Sequence, residues 1–317
     1  MRVESSKGQA PGRGVIGSSI GLIVVAWALN FIAAKVGLRH LPALTMASFR
    51  VCLAGGVMLP TYFICRRLPA FAEALEVRRR GFTGRDFWRF LYLGFFGVAV
   101  NQICFTVALR YTSVSHAAVI VGMGPIYTLV LAVLLRMERA TWHKATGMAI
   151  AFMGIAILAS ENGLSAHSPS LVGDAIALTG SLGFATFAVL GKRVAGAYDS
   201  LTMTAFNHFA GTLIVLPLAV YQARAIGPAW KWRAIPWEAW AAILYMAVVA
   251  SAVAYVLYFW LLRYLEASQL SAFTYLLPVL ATLLGIALLG ERGSWRQVFG
   301  GVLALAGVYW TESGREQ

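Results

Sequence analysis

The amino-acid sequence predicts an all-α integral membrane protein of ten transmembrane helices arranged as two inverted five-helix repeats. Three observations predict it. Only 12% of the residues are charged while 59% are hydrophobic, against about 25% charged in a soluble domain. Ten apolar runs each reach the roughly 20 helical residues that cross a bilayer core. The second half of the chain also repeats the first.

Taken in order, the runs are 16–36, 42–64, 87–109, 113–135 and 141–160, then 171–191, 201–221, 239–262, 267–289 and 294–312. The first follows Arg2, Lys7 and Arg13 and has no small-residue cleavage site, so it reads as a permanent helix and not a secretory signal. It ends on Asn30 and Lys35; the second enters at Pro42, carries Arg50 and ends on Leu59-Pro60. The third holds Asn101, Gln102 and Phe105, the fourth His116, Met123 and the V-G-M-G-P stretch at 121–125, and the fifth Gly147 and Gly154. Helices 6 to 10 bring Lys192, then Asn207 and His208, then Tyr255 and Tyr258, then Gln269, Tyr275 and Pro278, and finally Gly300 and Gly307. The chain divides into a tail at 1–15, a first repeat at 16–160, a second at 171–312 and a tail at 313–317. The short linkers leave no room for a soluble domain; the one longish connection is 65–86.

Positive charge is retained on the cytoplasmic side of a membrane protein. Arg66, Arg67, Arg78, Arg79, Arg80 and Arg85 crowd the 65–86 loop, and 136–144 is also basic. These loops, the N-terminus and, after ten crossings, the C-terminus are therefore expected inside. The net charge of +13 is explained by this placement and does not call for nucleic acid. Cys52, Cys65 and Cys104 form no CxxC pair and read as packing thiols, with no metal or disulfide implied.

The repeat is read at two offsets. An offset of 157 pairs Lys35 with Lys192, Leu44-Thr45-Met46 with Leu201-Thr202-Met203, Phe49 with Phe206 and Leu59-Pro60 with Leu216-Pro217. From the third helix the offset becomes 153, because the 65–86 loop is longer than its counterpart. It pairs Leu109-Arg110-Tyr111 with Leu262-Arg263-Tyr264, Ser115 with Ser268, Pro125 with Pro278, Glu138-Arg139 with Glu291-Arg292, and Gly147 and Gly154 with Gly300 and Gly307. Five spans per copy is an odd number, so the copies enter the membrane from opposite sides. Inverted halves about a midplane site are the plan of many secondary transporters.

On W-A-L-N-F at 27–31 with Lys35, the Pro42-to-Arg50 entry of helix 2, A-L-R-Y-T at 108–112, Pro125, the glycines 147 and 154 and their second-half copies, the sequence resembles a ten-helix member of the EamA-type group of the drug/metabolite transporter superfamily. The resemblance covers residues 16–312. It implies an alternating-access transporter in a bacterial inner membrane, exporting amino acids or related metabolites, with a monomer as its unit and no cofactor. It does not fix the substrate.

Charges persist at mid-bilayer, at ~2.5–3.5 kcal/mol each on insertion scales, where they line a cavity or pair. No Asp or Glu lies at the centre of any run. Relatives in the superfamily that export cationic drugs use a helix 1 glutamate, whereas helix 1 here offers Trp27, Asn30 and Lys35; a cationic drug is not expected. The candidate substrate-binding residues are Trp27, Asn30, Arg50, Asn101, Phe105, His116, Met123, Asn207, His208, Tyr255, Tyr258 and Tyr275, with Pro125 and Pro278 as hinges. Arg50 is the central choice. Its planar fork suits a carboxylate, and Asn207 and His208 stand in its place in the second copy. Pro125 and Pro278 remove a backbone donor mid-span, which is tolerated where the freed carbonyl meets protein or a wet cavity. For the histidines and the prolines simple packing is the alternative to a place in the site, for the tyrosines a place at the bilayer interface, and Arg50 has its own alternative in snorkelling to the interface or capping carbonyls. Glu138-Arg139 and Glu291-Arg292 read as interfacial pairs or caps. A passive channel or facilitator is the alternative function. An intramembrane enzyme is less favoured, because no HExxH, GxSxG or paired intramembrane aspartates occur, and neither does a nucleotide-binding loop.

Overall fold

The computed structural model describes residues 11–68, 83–111, 120–160, 171–226, 234–277, 279–280, 283 and 295–313. Among them there is no strand. The helices are α1 (Arg13–Leu38), α2 (Ala43–Arg67), α3 (Gly84–Tyr111), α4 (Ile120–Leu134), α5 (Trp142–Ser160), α6 (Leu171–Val194), α7 (Ser200–Ile226), α8 (Trp237–Leu261), α9 (Ala267–Ala272, continued by a 3-10 turn Phe273–Tyr275) and α10 (Trp295–Ser313). Six of them, α1, α2, α3, α6, α7 and α8, are long and apolar enough to cross a membrane, and α4 is a shorter apolar helix. Pro278 and His116 lie outside the described residues.

Helix ends follow local chemistry. Asp86 accepts the Thr83 N–H at 2.9 Å to start α3, the reciprocal half of a capping box. Past the end of α4, Arg136 takes φ 56°, the left-handed turn that lets the chain reverse toward α5. Trp142, Trp237 and Trp295 are the exposed first residues of α5, α8 and α10, where an amphipathic ring suits the boundary between headgroup and hydrocarbon.

Two long helices leave regular α geometry near their middles. α3 winds as a π-helix over Gly94–Val100 and α8 over Val248–Val253. The offset of 153 that aligns the two halves carries residues 94–100 onto 247–253, so both copies carry the same irregularity. α4 is interrupted at Met123, whose backbone precedes the Gly124–Leu134 segment with Pro125 in its first turn. Pro125 has no N–H and its ring crowds the carbonyl four residues back, which accounts for the break.

Packing is closest where side chains are absent. α5 lies along α10, and a Cβ on Gly154 would stand 2.4 Å from the Ala304 N, on Gly307 2.3 Å from the Ala151 N, and on Gly147 2.3 Å from Thr311 Oγ1. With little hydrophobic drive between helices in lipid, backbone approach through small residues is what holds such a pair. Gly154→Leu or Gly307→Leu should separate α5 from α10 and destabilise the protein by about 1–3 kcal/mol. Gly21→Ala, where an added Cβ meets nothing within 4 Å, should leave the thermal unfolding midpoint in detergent unchanged.

Candidate functional site

The π-helical turns position the site. A π turn shifts hydrogen bonding by one residue and leaves a carbonyl in need of another donor. The Ala250 carbonyl accepts from Trp27 Nε1 at 3.0 Å, and the Gly97 carbonyl accepts from the Tyr255 hydroxyl at 3.2 Å. Gly97 and Ala250 are equivalent at the offset of 153. Each of these carbonyls thus pins an aromatic side chain of another helix. Just past the π turns, Asn101 and Gln102 on α3 and Tyr255 on α8 line one cavity, and the Asn101 Nδ2 donates to the Gly180 carbonyl of α6 at 3.1 Å.

That cavity, of about 110 Å³, lies between α1, α2, α3, α4, α6, α8 and α9. One wall is aromatic. Trp27 meets Phe184 edge-on at 5.8 Å, and Phe31 meets Phe105 edge-on at 5.0 Å. Trp27 and Phe184 are themselves repeat mates at the offset of 157. The other wall is polar, with Asn30, Arg50, Asn101, Gln102, Ser181, Ser271 and Thr274. Arg50 is the only charged residue among the described residues lining it. Arg50 is 4% exposed, and its Nε donates to Ser251 Oγ at 3.1 Å. Ser251 in turn donates to the Met246 carbonyl at 2.8 Å. Asn30 Oδ1 is buried without a hydrogen-bond partner, and the buried Gln102 amide is met only loosely, by the Tyr255 hydroxyl.

Six of the residues chosen from the sequence come together on this cavity: Trp27, Asn30, Arg50, Asn101, Phe105 and Tyr255. His116 lies outside the described residues, and the remaining ones stand elsewhere in this conformation. His208 is fully buried behind Tyr255, its ring 5.0 Å away edge-on, with Nδ1 on the Thr204 carbonyl at 3.0 Å and Nε2 unpartnered. Asn207 is fully buried with its amide unpartnered. Tyr258 lies in the layer behind Trp27, 5.8 Å away, and Tyr275 packs in the core formed with Met148, Ile155 and Ala304. Met123, at the break in α4, receives the Tyr127 hydroxyl on its sulfur at 3.2 Å. Sequence reasoning missed Phe31, Phe184, Ser181, Ser271 and Thr274, and put Gln102 in an amide-bearing wall without choosing it as a binding residue. Phe184 was within reach of the repeat, since the offset of 157 leads to it from Trp27.

At one end of the molecule a polar network ties the halves together. Glu138 accepts from Lys144 Nζ at 3.1 Å, from the Ser268 N–H at 3.2 Å and from the Ser268 hydroxyl, so it caps α9. Lys144 also binds Glu266. Lys192 Nζ donates to the Leu262 and Leu265 carbonyls at 2.7 Å each, and Tyr198 donates to Asp86. Lys35, the repeat mate of Lys192, is exposed. The cavity extends the opposite way, from Tyr255 and Ser271 toward Phe105, Val121 and Ala177.

The family model described as "EamA-like transporter family" matches this chain twice, at residues 16–160 and 171–312. An uncharacterized transporter of Archaeoglobus fulgidus is 25% identical over 301 residues, 94% of this chain and 97% of the relative. A protein named as a probable terminal-alkyne amino-acid exporter of Streptantibioticus cattleyicolor is 27% identical, with 90% of each chain covered. One named as a probable amino-acid metabolite efflux pump of Salmonella typhimurium is 25% identical, with 91% of each covered. A solved crystal structure superposes with a TM-score of 0.74 at 16% identity, covering 96% of this chain and 99% of that one, which shows a shared fold.

Water access to the cavity can be read directly. With Cys52, Cys65 and Cys104 replaced by Ala, a cysteine at Ser181 or Thr274 should react with a hydrophilic methanethiosulfonate, and one at the fully buried Met203 should not.

Proposed function

Because the chain belongs to the EamA-like transporter family, we propose that it exports a small carboxylated metabolite, an amino acid or a related zwitterion or anion, by alternating access. The observation that carries this reading is Arg50. A guanidinium in the membrane interior, facing a cavity and hydrogen-bonded through Nε to a serine hydroxyl, has its fork free for a carboxylate, and a bidentate Arg–carboxylate pair is a strong charge-assisted contact. The aromatic wall takes the substrate's apolar part.

The transport cycle rests on ten crossings in two inverted repeats. The double match of one family model, the equivalent π turns, and the contact between the repeat mates Trp27 and Phe184 support that arrangement. With the arginine-rich 65–86 and 136–144 loops cytoplasmic and both termini inside, the Glu138–Lys144–Glu266 network closes the cytoplasmic end and the cavity faces outward. In the opposite-facing state the symmetry-related positions take over. Asn207 and His208, mates of Arg50 and Val51, come to the wet side, which relieves two unpartnered buried groups at about 1–3 kcal/mol each. Pro125 and Pro278 serve as the bends about which α4 and α9 move.

Arg50→Lys keeps the charge and loses the fork, so substrate flux in proteoliposomes should drop about tenfold or more. Arg50→Ala should nearly abolish it in protein that is still folded by thermal unfolding. Wild-type flux through a well-folded Arg50→Ala protein would remove the anchor and leave Arg50 as scaffold.

A further inference from the structure

The cavity holds more information about its ligand than the carboxylate alone. The seven helices that line it carry three acidic residues in all, Asp86 on α3, Asp174 on α6 and Glu238 on α8. Asp86 and Glu238 stand in the first turns of their helices, at a distance of 15 residues from Asn101 and 17 from Tyr255, the cavity residues of those helices. Asp174 stands nearer, three residues before the cavity residue Ala177 on α6, but it is not itself in the cavity wall, and no acidic residue is among the described residues lining the cavity. The ammonium and carboxylate of an α-amino acid share one carbon, so a carboxylate held by Arg50 leaves the ammonium beside the guanidinium, with no acidic side chain among the described residues of the cavity wall to pair with it.

What does stand near Arg50 is neutral. Asn30 and Gln102 line the same cavity, each more than nine-tenths buried, with Asn30 Oδ1 lacking any partner and the Gln102 amide met only loosely, by the Tyr255 hydroxyl. A buried polar group without a partner costs about 1–3 kcal/mol, so Asn30 Oδ1, and the Gln102 amide with hydrogen-bonding capacity to spare, are groups a ligand should satisfy. An amide can accept from a hydroxyl or an amide N–H as readily as from an ammonium, and it neutralises no charge. In this low-dielectric setting, a monoanion paired with Arg50 gives a complex of zero net charge. A zwitterion leaves one uncompensated positive charge beside the guanidinium, which is the costlier arrangement.

We infer that the site selects a net monoanion: a carboxylate for Arg50, a neutral hydrogen-bonding group on the α-carbon (hydroxyl or acylated nitrogen) for Asn30 and Gln102, and an aromatic or apolar body for Trp27, Phe31, Phe105 and Phe184. α-Hydroxy acids and N-acyl amino acids are its ligands in preference to free amino acids. The inference rests on the reading of Arg50 as the carboxylate anchor.

The test is calorimetric titration of the wild-type protein in nanodiscs at neutral pH with 3-phenyllactate, N-acetylphenylalanine, 3-phenylpropionate, phenylalanine and phenethylamine. Phenyllactate and N-acetylphenylalanine should bind at least about tenfold more tightly than phenylalanine, phenylpropionate should fall between them, and phenethylamine should not bind. In the Asn30→Leu/Gln102→Leu double variant the advantage of phenyllactate over phenylpropionate should vanish. Arg50→Gln should abolish binding of every acid while Arg50→Lys keeps part of it, so a folding failure of one variant is recognised from the other. Phenylalanine binding as tightly as phenyllactate overturns the inference and leaves the carboxylate anchor standing. Acid binding that survives in Arg50→Gln, or phenethylamine binding as tightly as the acids, overturns both. If none of the five binds, the ligand class is overturned, and the flux of Arg50→Ala protein then judges the anchor by itself.

Discussion

A backbone carbonyl released inside a bilayer must find a donor from the protein itself, because lipid offers none. Two carbonyls with such donors organise this molecule. Within the π turns of α3 and α8, where backbone bonding departs from the α pattern, Gly97 O and Ala250 O are each met by an aromatic side chain, Tyr255 and Trp27. Those two rings are 6.0 Å apart and edge-on, so satisfying the backbone also fixes a wall of the cavity. Removing the π turns would leave Trp27 and Tyr255 as buried polar tips with nothing to bind, and would rotate Asn101 and Gln102 with the rest of α3.

The same logic governs the charge. A guanidinium at this depth is tolerated when it is hydrogen-bonded and faces a polar cavity. Ser251, the residue that receives Arg50 Nε, belongs to the π turn of α8 and is itself held by the Met246 carbonyl, five residues earlier. Arg50 therefore depends on the irregular backbone of the other half of the chain. In the first half, the position equivalent to Ser251 is Val98, which is buried in an apolar cluster with Val51 and Val215. The duplicated geometry is shared, and the chemistry placed on it is not.

This explains which features were legible in the sequence. Hydrophobic runs, the arginine distribution and the duplication are properties of many residues at once, so the helical membrane architecture survives any local error. Arg50, Trp27, Asn30 and Tyr255 were legible because a polar or amphipathic group in an apolar run has few places to go. The π turns were not: GFFGVAV and VVASAV read as ordinary apolar helix, and the underwinding of one wide turn decides which of Asn101, Gln102 or their neighbours faces inward. Ser181, Ser271 and Thr274 were missed for a related reason. Small hydroxyl side chains are common on helices as bonds to the carbonyl one turn back, as Thr274 makes to Ser271 at 2.7 Å, and nothing in their spacing marks a cavity.

Asn207 and His208 are the instructive difference. They are polar, deep in an apolar run and equivalent to a cavity position, and every one of those properties argued for the same cavity as Arg50. Symmetry between inverted halves does not work that way. In the inverted arrangement proposed above, the operation that carries Arg50 onto Asn207 would also carry one end of the molecule onto the other, so mates share one cavity only near the axis, where Trp27 and Phe184 touch and Gln102 and Tyr255 line the same cavity. Away from the axis, a residue's mate belongs to the other face. Asn207 and His208 lie within eight residues of the start of α7 at Ser200, toward the end held by Tyr198 and Asp86. Their burial here and the exposure of Lys35 against the carbonyl-bound Lys192 are two expressions of one asymmetry: a duplicated chain with its two ends in different states.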